Sequence, residues 1–165
     1  MNIKRIIKHL FIGTWWVRRR FPASSLLKIK SAITHAEAQC AGQIRFAVEH
    51  ALDGAALWAG QSARQRAIQV FSDLRVWDTE HNNGVLIYLL LADRDVEIVA
   101  DRGIHEKLGQ DVWESICQEM ETAFRQGEFE AGVLAGIRSI ALQLQQHYPP
   151  HGSQLNELPD HPVVM

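Results

Sequence analysis

A chain of 165 residues that is 47% hydrophobic and 22% charged has the make-up of one folded domain, which excludes disorder of the whole chain. Cys40 and Cys117 lie far apart with no CxxC spacing, so a zinc ribbon and a disulfide scaffold are excluded too. The net charge of −2 conceals an asymmetry: residues 1–30 carry eight Lys and Arg and no acid, while the remainder carries nine basic and nineteen acidic residues.

The basic head comes first. Ile3, Ile6, Ile7, Leu10 and Val17 recur at helical spacing, with Lys4, Arg5, Lys8 and His9 on the other side. The apolar run that follows is short and gives way to Arg18-Arg19-Arg20 rather than to a small-residue cleavage site, so the segment is not read as a secretory signal. Residues 1–22 are read as a basic amphipathic segment. Three partners fit residues 1–20: an anionic membrane surface or membrane protein, for which Trp15-Trp16 and the arginines are suited, the chain's own acidic body, or a second subunit. No run of roughly 18 apolar residues is present, so no membrane span is expected.

After Phe21-Pro22, Ser24 or Ser25 is expected to cap a helix whose inward face is Leu26, Ile29, Ile33, Ala36 and Cys40, with Gly42 as its stop. Alternation over residues 43–49 predicts a strand with one buried face. Asp53-Gly54 reads as a turn, and residues 62–74 as a helix with Ala63, Ala67, Val70, Phe71 and Leu74 inward. Residues 85–92 are apolar throughout, which predicts a strand covered on both faces. A short turn at 93–95 makes 96–101 its antiparallel partner, and the intervening helix makes the strands at 43–49 and 85–92 parallel. Two long helices follow, one with Leu108, Val112, Ile116, Met120 and Phe124 inward and Gly127 at its end. The other carries Phe129, Val133, Ile137, Ile140 and Leu144, with Gly132 and Gly136 one turn apart for close packing. Residues 148–165 hold four of the five prolines and read as an irregular tail around a central domain at 23–147. The fold class expected is α/β, a three-layer α/β/α arrangement around a small mixed sheet.

No phosphate loop, GxSxG, HExxH or paired CxxC motif is present. Hairpin topology should bring the start of the 85–92 strand beside the end of its partner. Asn82, Asn83, Asp101 and His105 are therefore expected to line one concavity, with Asp78 and Arg102 nearby. Oxygen donors converging there suit a hard cation, Ca²⁺ or Mg²⁺, with Asp101 and Asp78 as metal ligands. The other reading is that these residues only build the loop and cap the helix. Asp93, Arg94, Asp95 and Glu97 are read as a solvated turn, and His35, His50 and His147 as surface or boundary residues. An acidic body offers no face to nucleic acid, which leaves only the basic head for such a contact, and no nucleic-acid partner is expected.

The ordered set Asn83-Gly84-Val85, then Asp101-Arg102-Gly103-Ile104, Trp113, Gly127-Glu128-Phe129 and Gly132 through Ile137 resembles the TPM domain family over residues 25–146. The tail, with His147-Tyr148-Pro149 and Asn156 to Asp160, is similar to the small bacterial branch of that family. The resemblance implies a three-layer α/β domain. Members of the family are associated with acid phosphatase activity, with divalent-cation binding and with assistance to membrane protein complexes. The loops at Asn82-Asn83-Gly84 and Asp101-Arg102-Gly103 correspond to the family's loops, although His81-Asn82 stands where an acid or arginine is common.

The function expected is an accessory or binding module acting near a membrane, dependent on a divalent cation. The alternative is a metal-assisted acid phosphatase in which Asp101 holds metal, Arg102 neutralises phosphate and His105 donates a proton. The location expected is the cytoplasm, with peripheral contact to a membrane.

Overall fold

The computed structural model describes residues 3–150 and 156–165. In chain order the elements are α1 (Ile3–Phe11), α2 (Thr14–Arg20), α3 (Ala23–Glu37), β1 (Gln43–Glu49), α4 (Gly54–Trp58), α5 (Ala63–Asp73), β2 (Gly84–Leu90), β3 (Asp95–Ala100), α6 (Arg102–Leu108), α7 (Gln110–Arg125), α8 (Phe129–His147) and β4 (Val163–Val164). The sheet runs β3-β2-β1-β4. β1 and β2 are parallel, and β2 pairs antiparallel with β3 in the register Val85↔Ala100 to Leu90↔Asp95. The parallel crossover, the hairpin and the interior position of β2 are as the sequence predicts.

Side-chain alternation divides the core into two layers. Ile44, Phe46, Val48, Val85, Ile87, Leu89 and Ile98 pack against the inner faces of α3, α7 and α8. On the other face Ala47, Leu86, Tyr88, Leu90 and Val99 meet Leu57 of α4 and Ala63, Ala67, Val70 and Phe71 of α5. Helices therefore cover both faces, and this corrects the reading of β1 as a strand with one buried face: all seven of its residues are buried. Its polar residues are accommodated by partners. Glu49 accepts two hydrogen bonds from Arg66, at 2.9 and 3.1 Å, and one from the Tyr88 hydroxyl at 2.6 Å. Burial, then the Glu49 carboxylate, raises the Tyr88 pKa, so the phenol stays protonated as donor. Gly132 and Gly136 allow close α7–α8 packing, because a Cβ there would lie 2.7 Å from the Phe124 ring and 2.3 Å from the Met120 sulfur.

Several local readings are corrected. α3 begins at Ala23 after Pro22, so neither Ser24 nor Ser25 caps it; the Ser25 hydroxyl instead donates to Glu130 of α8. Asp53-Gly54 starts a helix rather than a simple turn, with Asp53 Oδ1 accepting from the Ala56 amide at 2.7 Å. Part of the tail read as irregular completes the sheet: β4 pairs parallel with β1 through Ala47↔Val163 and Val48↔Val164. Gln43 Oε1 anchors this segment by accepting from the Glu157 and Leu158 amides, both at 2.9 Å. Residues 151–155 of the tail lie outside the described residues.

The hairpin tip is likewise more than a solvated turn. Asp93 lies 2.8 Å from Arg5 Nε, 3.1 Å from His9 Nε2 and 3.9 Å from Lys8 Nζ, so one carboxylate clips α1 to the body. His9 Nδ1 accepts from the Leu52 amide at 3.0 Å, which assigns the ring proton of a neutral His9 to Nε2, facing Asp93.

Candidate functional site

The β2–β3 hairpin places the loop before β2 beside the turn after β3. The Asp101 amide donates to the Gly84 carbonyl at 2.9 Å, continuing the ladder by one pair. Asp101 is buried and begins α6, its Oδ1 accepting from the Arg102 amide at 2.7 Å. Asn83 is fully buried. Its side-chain amide donates to the Ala41 carbonyl at 2.6 Å, and its backbone amide donates to the Thr79 hydroxyl at 3.1 Å. Asn82 takes a left-handed φ of 50°, which turns the loop sharply before the strand.

Gly103 makes this approach possible. A Cβ at that position would sit 2.6 Å from the Asn82 carbonyl oxygen and 3.0 Å from both the His81 carbonyl oxygen and the Tyr148 hydroxyl. Two carbonyls and a phenol thus crowd over the first turn of α6. Burial, then the Asp101 and Glu106 charges, raises the Tyr148 pKa, while Lys107 Nζ rests 3.8 Å from its ring centroid.

Two side-chain oxygens at this end of the sheet, Asn83 Oδ1 and Asp101 Oδ2, are buried with no hydrogen-bond partner among the described residues. A buried carboxylate oxygen without a donor is costly, and a hard cation would satisfy it. The two orphaned groups are oxygens, one of them on a carboxylate, which fits the chemistry of Ca²⁺ or Mg²⁺ rather than of a softer metal. Among the described residues no group of three or more His, Cys, Asp and Glu is placed to hold a metal.

The six sequence candidates separate accordingly. Asn83 and Asp101 are buried on adjoining strand ends. The side chains of Asn82 and Arg102 are exposed, and Asp78 is exposed farther back in the loop, with its amide on the Arg75 carbonyl. His105 is half-buried on α6, its amide donating to the Asp101 carbonyl at 2.9 Å. Tyr148 and the His81 and Asn82 carbonyls went unread. A main-chain oxygen has no signature in sequence, and Tyr148 is remote along the chain until α8 returns it.

A family model for the TPM domain matches residues 21–143. The chain belongs to the TPM domain family. The match begins at Phe21, so the basic head of this TPM protein precedes the matched region. The NMR structure of the BA42 protein from the psychrophilic bacterium Bizionia argentinensis is similar at 28% identity and a TM-score of 0.78, over 88% of this chain and 95% of that one. The N-terminal domain of a P. gingivalis protein, also solved by NMR, shares the fold at 17% identity and a TM-score of 0.59, over 74% of this chain and 76% of that one. No curated protein matches this TPM chain.

Proposed function

We propose that this TPM protein is an accessory module that seats itself on an anionic membrane surface through α1 and α2. The observation that carries this reading is the orientation of the head. Arg5 and His9 turn inward to Asp93, whereas Leu10, Phe11 and Trp15 face solvent at 72%, 80% and 58% exposure, with Ile3 and Ile7 beside them. An apolar stripe turned away from the body, rimmed by the exposed cations Lys4, Lys8, Arg18 and Arg19, has the layout of an interfacial helix. Among the described residues no helix is long and apolar enough to cross a membrane. Val17 and Phe21 anchor the end of the head in the core, so the stripe is presented from a fixed base.

Vesicle flotation tests this. Anionic vesicles should bind at low salt and neutral ones should not. Because each cation near such a surface contributes about 1 kcal/mol, Arg18→Ala with Arg19→Ala should weaken binding by about thirtyfold. Phe11→Asp should abolish it. Indifference to anionic vesicles at low salt refutes the reading.

The second element is divalent-cation binding at Asp101 and Asn83, supported by their two partnerless buried oxygens. When bound, the cation would supply positive charge to the joint between β2 and α6. Calcium and magnesium titrations followed by amide NMR should move the resonances of residues 79–84 and 101–105, and Asp101→Asn should weaken the response. Hydrolysis of a phosphomonoester that is lost in Asp101→Asn would favour instead the phosphatase reading, with Arg102 and His105 following Asp101 on α6.

A further inference from the structure

A cleft of about 510 Å³ opens between α1 and the loop leading into α5, lined by Lys4, Arg5, Lys8, Gly60, Ser62, Ala63, Asp93 and Asp95. It lies at the opposite end of β2 from the Asp101 site, beside the hairpin tip. Three of its lining residues are cations from successive turns of one helix. Arg5 is committed: its Nε holds Asp93 at 2.8 Å and its Nη1 donates to the Gln61 carbonyl at 2.9 Å. Lys4 has no ion-pair partner among the described residues, and Lys8 reaches Asp93 only at 3.9 Å.

We propose that this cleft binds a phosphate group, with Lys4 and Lys8 as its movable cations and Arg5 as its fixed wall. Two ammonium groups one turn apart can close on a phosphate from one side, and a phosphomonoester offers enough oxygens to accept from both. Of the two acids in the lining, Asp93 is already paired with Arg5 and faces the His9 ring. Asp95, half-buried and without an ion-pair partner among the described residues, opposes an anion and sets the limit on affinity.

The source favoured is a lipid headgroup, an extension that rests on the membrane reading above. Ile3 and Ile7 are exposed and immediately precede Lys4 and Lys8. When the apolar stripe enters the acyl boundary, the lysines and the mouth of the cleft are left at the depth of the phosphates.

The test uses the full chain and separates the two readings. Inorganic phosphate, compared with chloride at equal ionic strength, should shift the amides of residues 4–8 and 60–63 saturably. Lys4→Gln with Lys8→Gln should remove that response, whereas Arg18→Gln with Arg19→Gln, the same loss of charge outside the cleft, should leave it intact. Asp95→Asn should strengthen it several-fold. In flotation, phosphatidylcholine vesicles doped with phosphatidic acid should bind more tightly than those doped with phosphatidylglycerol, and the lysine pair should erase the difference. Vesicle binding without lysine-dependent phosphate shifts overturns the cleft and leaves the membrane reading standing. Phosphate shifts without vesicle binding support the cleft as a soluble-phosphate site and overturn the membrane reading. Phosphate shifts that the lysine pair leaves unchanged, or that chloride reproduces, overturn the cleft.

Discussion

Glu37→Gln offers a direct test of how the C-terminal segment is held. Glu37 is buried at the end of α3, with Oε1 accepting from the Ile44 amide at 2.7 Å as β1 begins. It hydrogen-bonds to Asp160, itself buried and receiving the Thr34 hydroxyl and the Asn156 amide, the latter at 2.6 Å. Arg45 is the nearby cation, with Nη1 3.4 Å from the His161 carbonyl oxygen. Burial first, and the Asp160 charge after the opposing Ile44 bond, push the Glu37 pKa from 4.5 to about 8. At neutral pH the group is therefore a protonated acid donating to the Asp160 carboxylate, and the Arg45–Asp160 pair balances in charge. The folded state holds this proton more tightly than the unfolded chain, so the contribution to stability is complete below pH 4.5 and is lost as pH rises to about 8. The full shift corresponds to a ceiling of roughly 5 kcal/mol, and relaxation around the ionised group should reduce it to about 2–3 kcal/mol. Glutamine keeps the Oε1 acceptor and supplies a permanent donor toward Asp160. Urea unfolding from pH 5 to 9 should show the wild type falling relative to Glu37→Gln across this window, with the variant equal or more stable above pH 8. Parallel profiles would refute the assignment of a bound proton to Glu37.

Other consequences follow from single contacts. The outer edge of β3 is blocked by Arg64, whose Nη1 donates to the Ile98 carbonyl at 2.6 Å; Arg64→Ala should lower stability by about 1–2 kcal/mol and promote self-association by size exclusion. Gly103→Ala should push the Asn82 carbonyl off α6 and lower the melting temperature, whereas Gly54→Ala, with open space around it, should not. Burial pushes the Cys117 thiol up to about 12 and raises that of Cys40, so neither should react rapidly with a thiol reagent at pH 8 until the chain is unfolded in urea.

Much of the layered core is legible from local pattern. Residues 85–92 carry no charged side chain and a single hydroxyl, on Tyr88, so a strand there has to be covered twice, and the three-residue turn after it leaves only a hairpin. The stripes of α7 and α8 follow from the 3.6-residue period, and the juxtaposition of Asn83 with Asp101 follows from hairpin geometry alone. The chain-order pattern of loops and glycines was also sufficient for the TPM resemblance.

Tertiary structure decided what depends on contacts remote in sequence. Alternation in β1 marks Arg45 and Glu49 as solvent-facing; their burial becomes tolerable only because Arg66, Tyr88 and the returning C-terminal segment bring partners to them. β4 is two residues long, below any periodic signal, and exists because Gln43, Thr34 and the edge of β1 receive it. The head shows the same division. Its composition specifies an amphipathic basic helix, but Asp93 determines which side meets the body, since one half-buried carboxylate draws Arg5 and His9 inward, Ile6 packs beside them, and Ile3, Ile7, Leu10 and Phe11 are thereby turned to solvent. Helical spacing determines which side chains share a face; the direction that face points is set by a charge located 88 residues away.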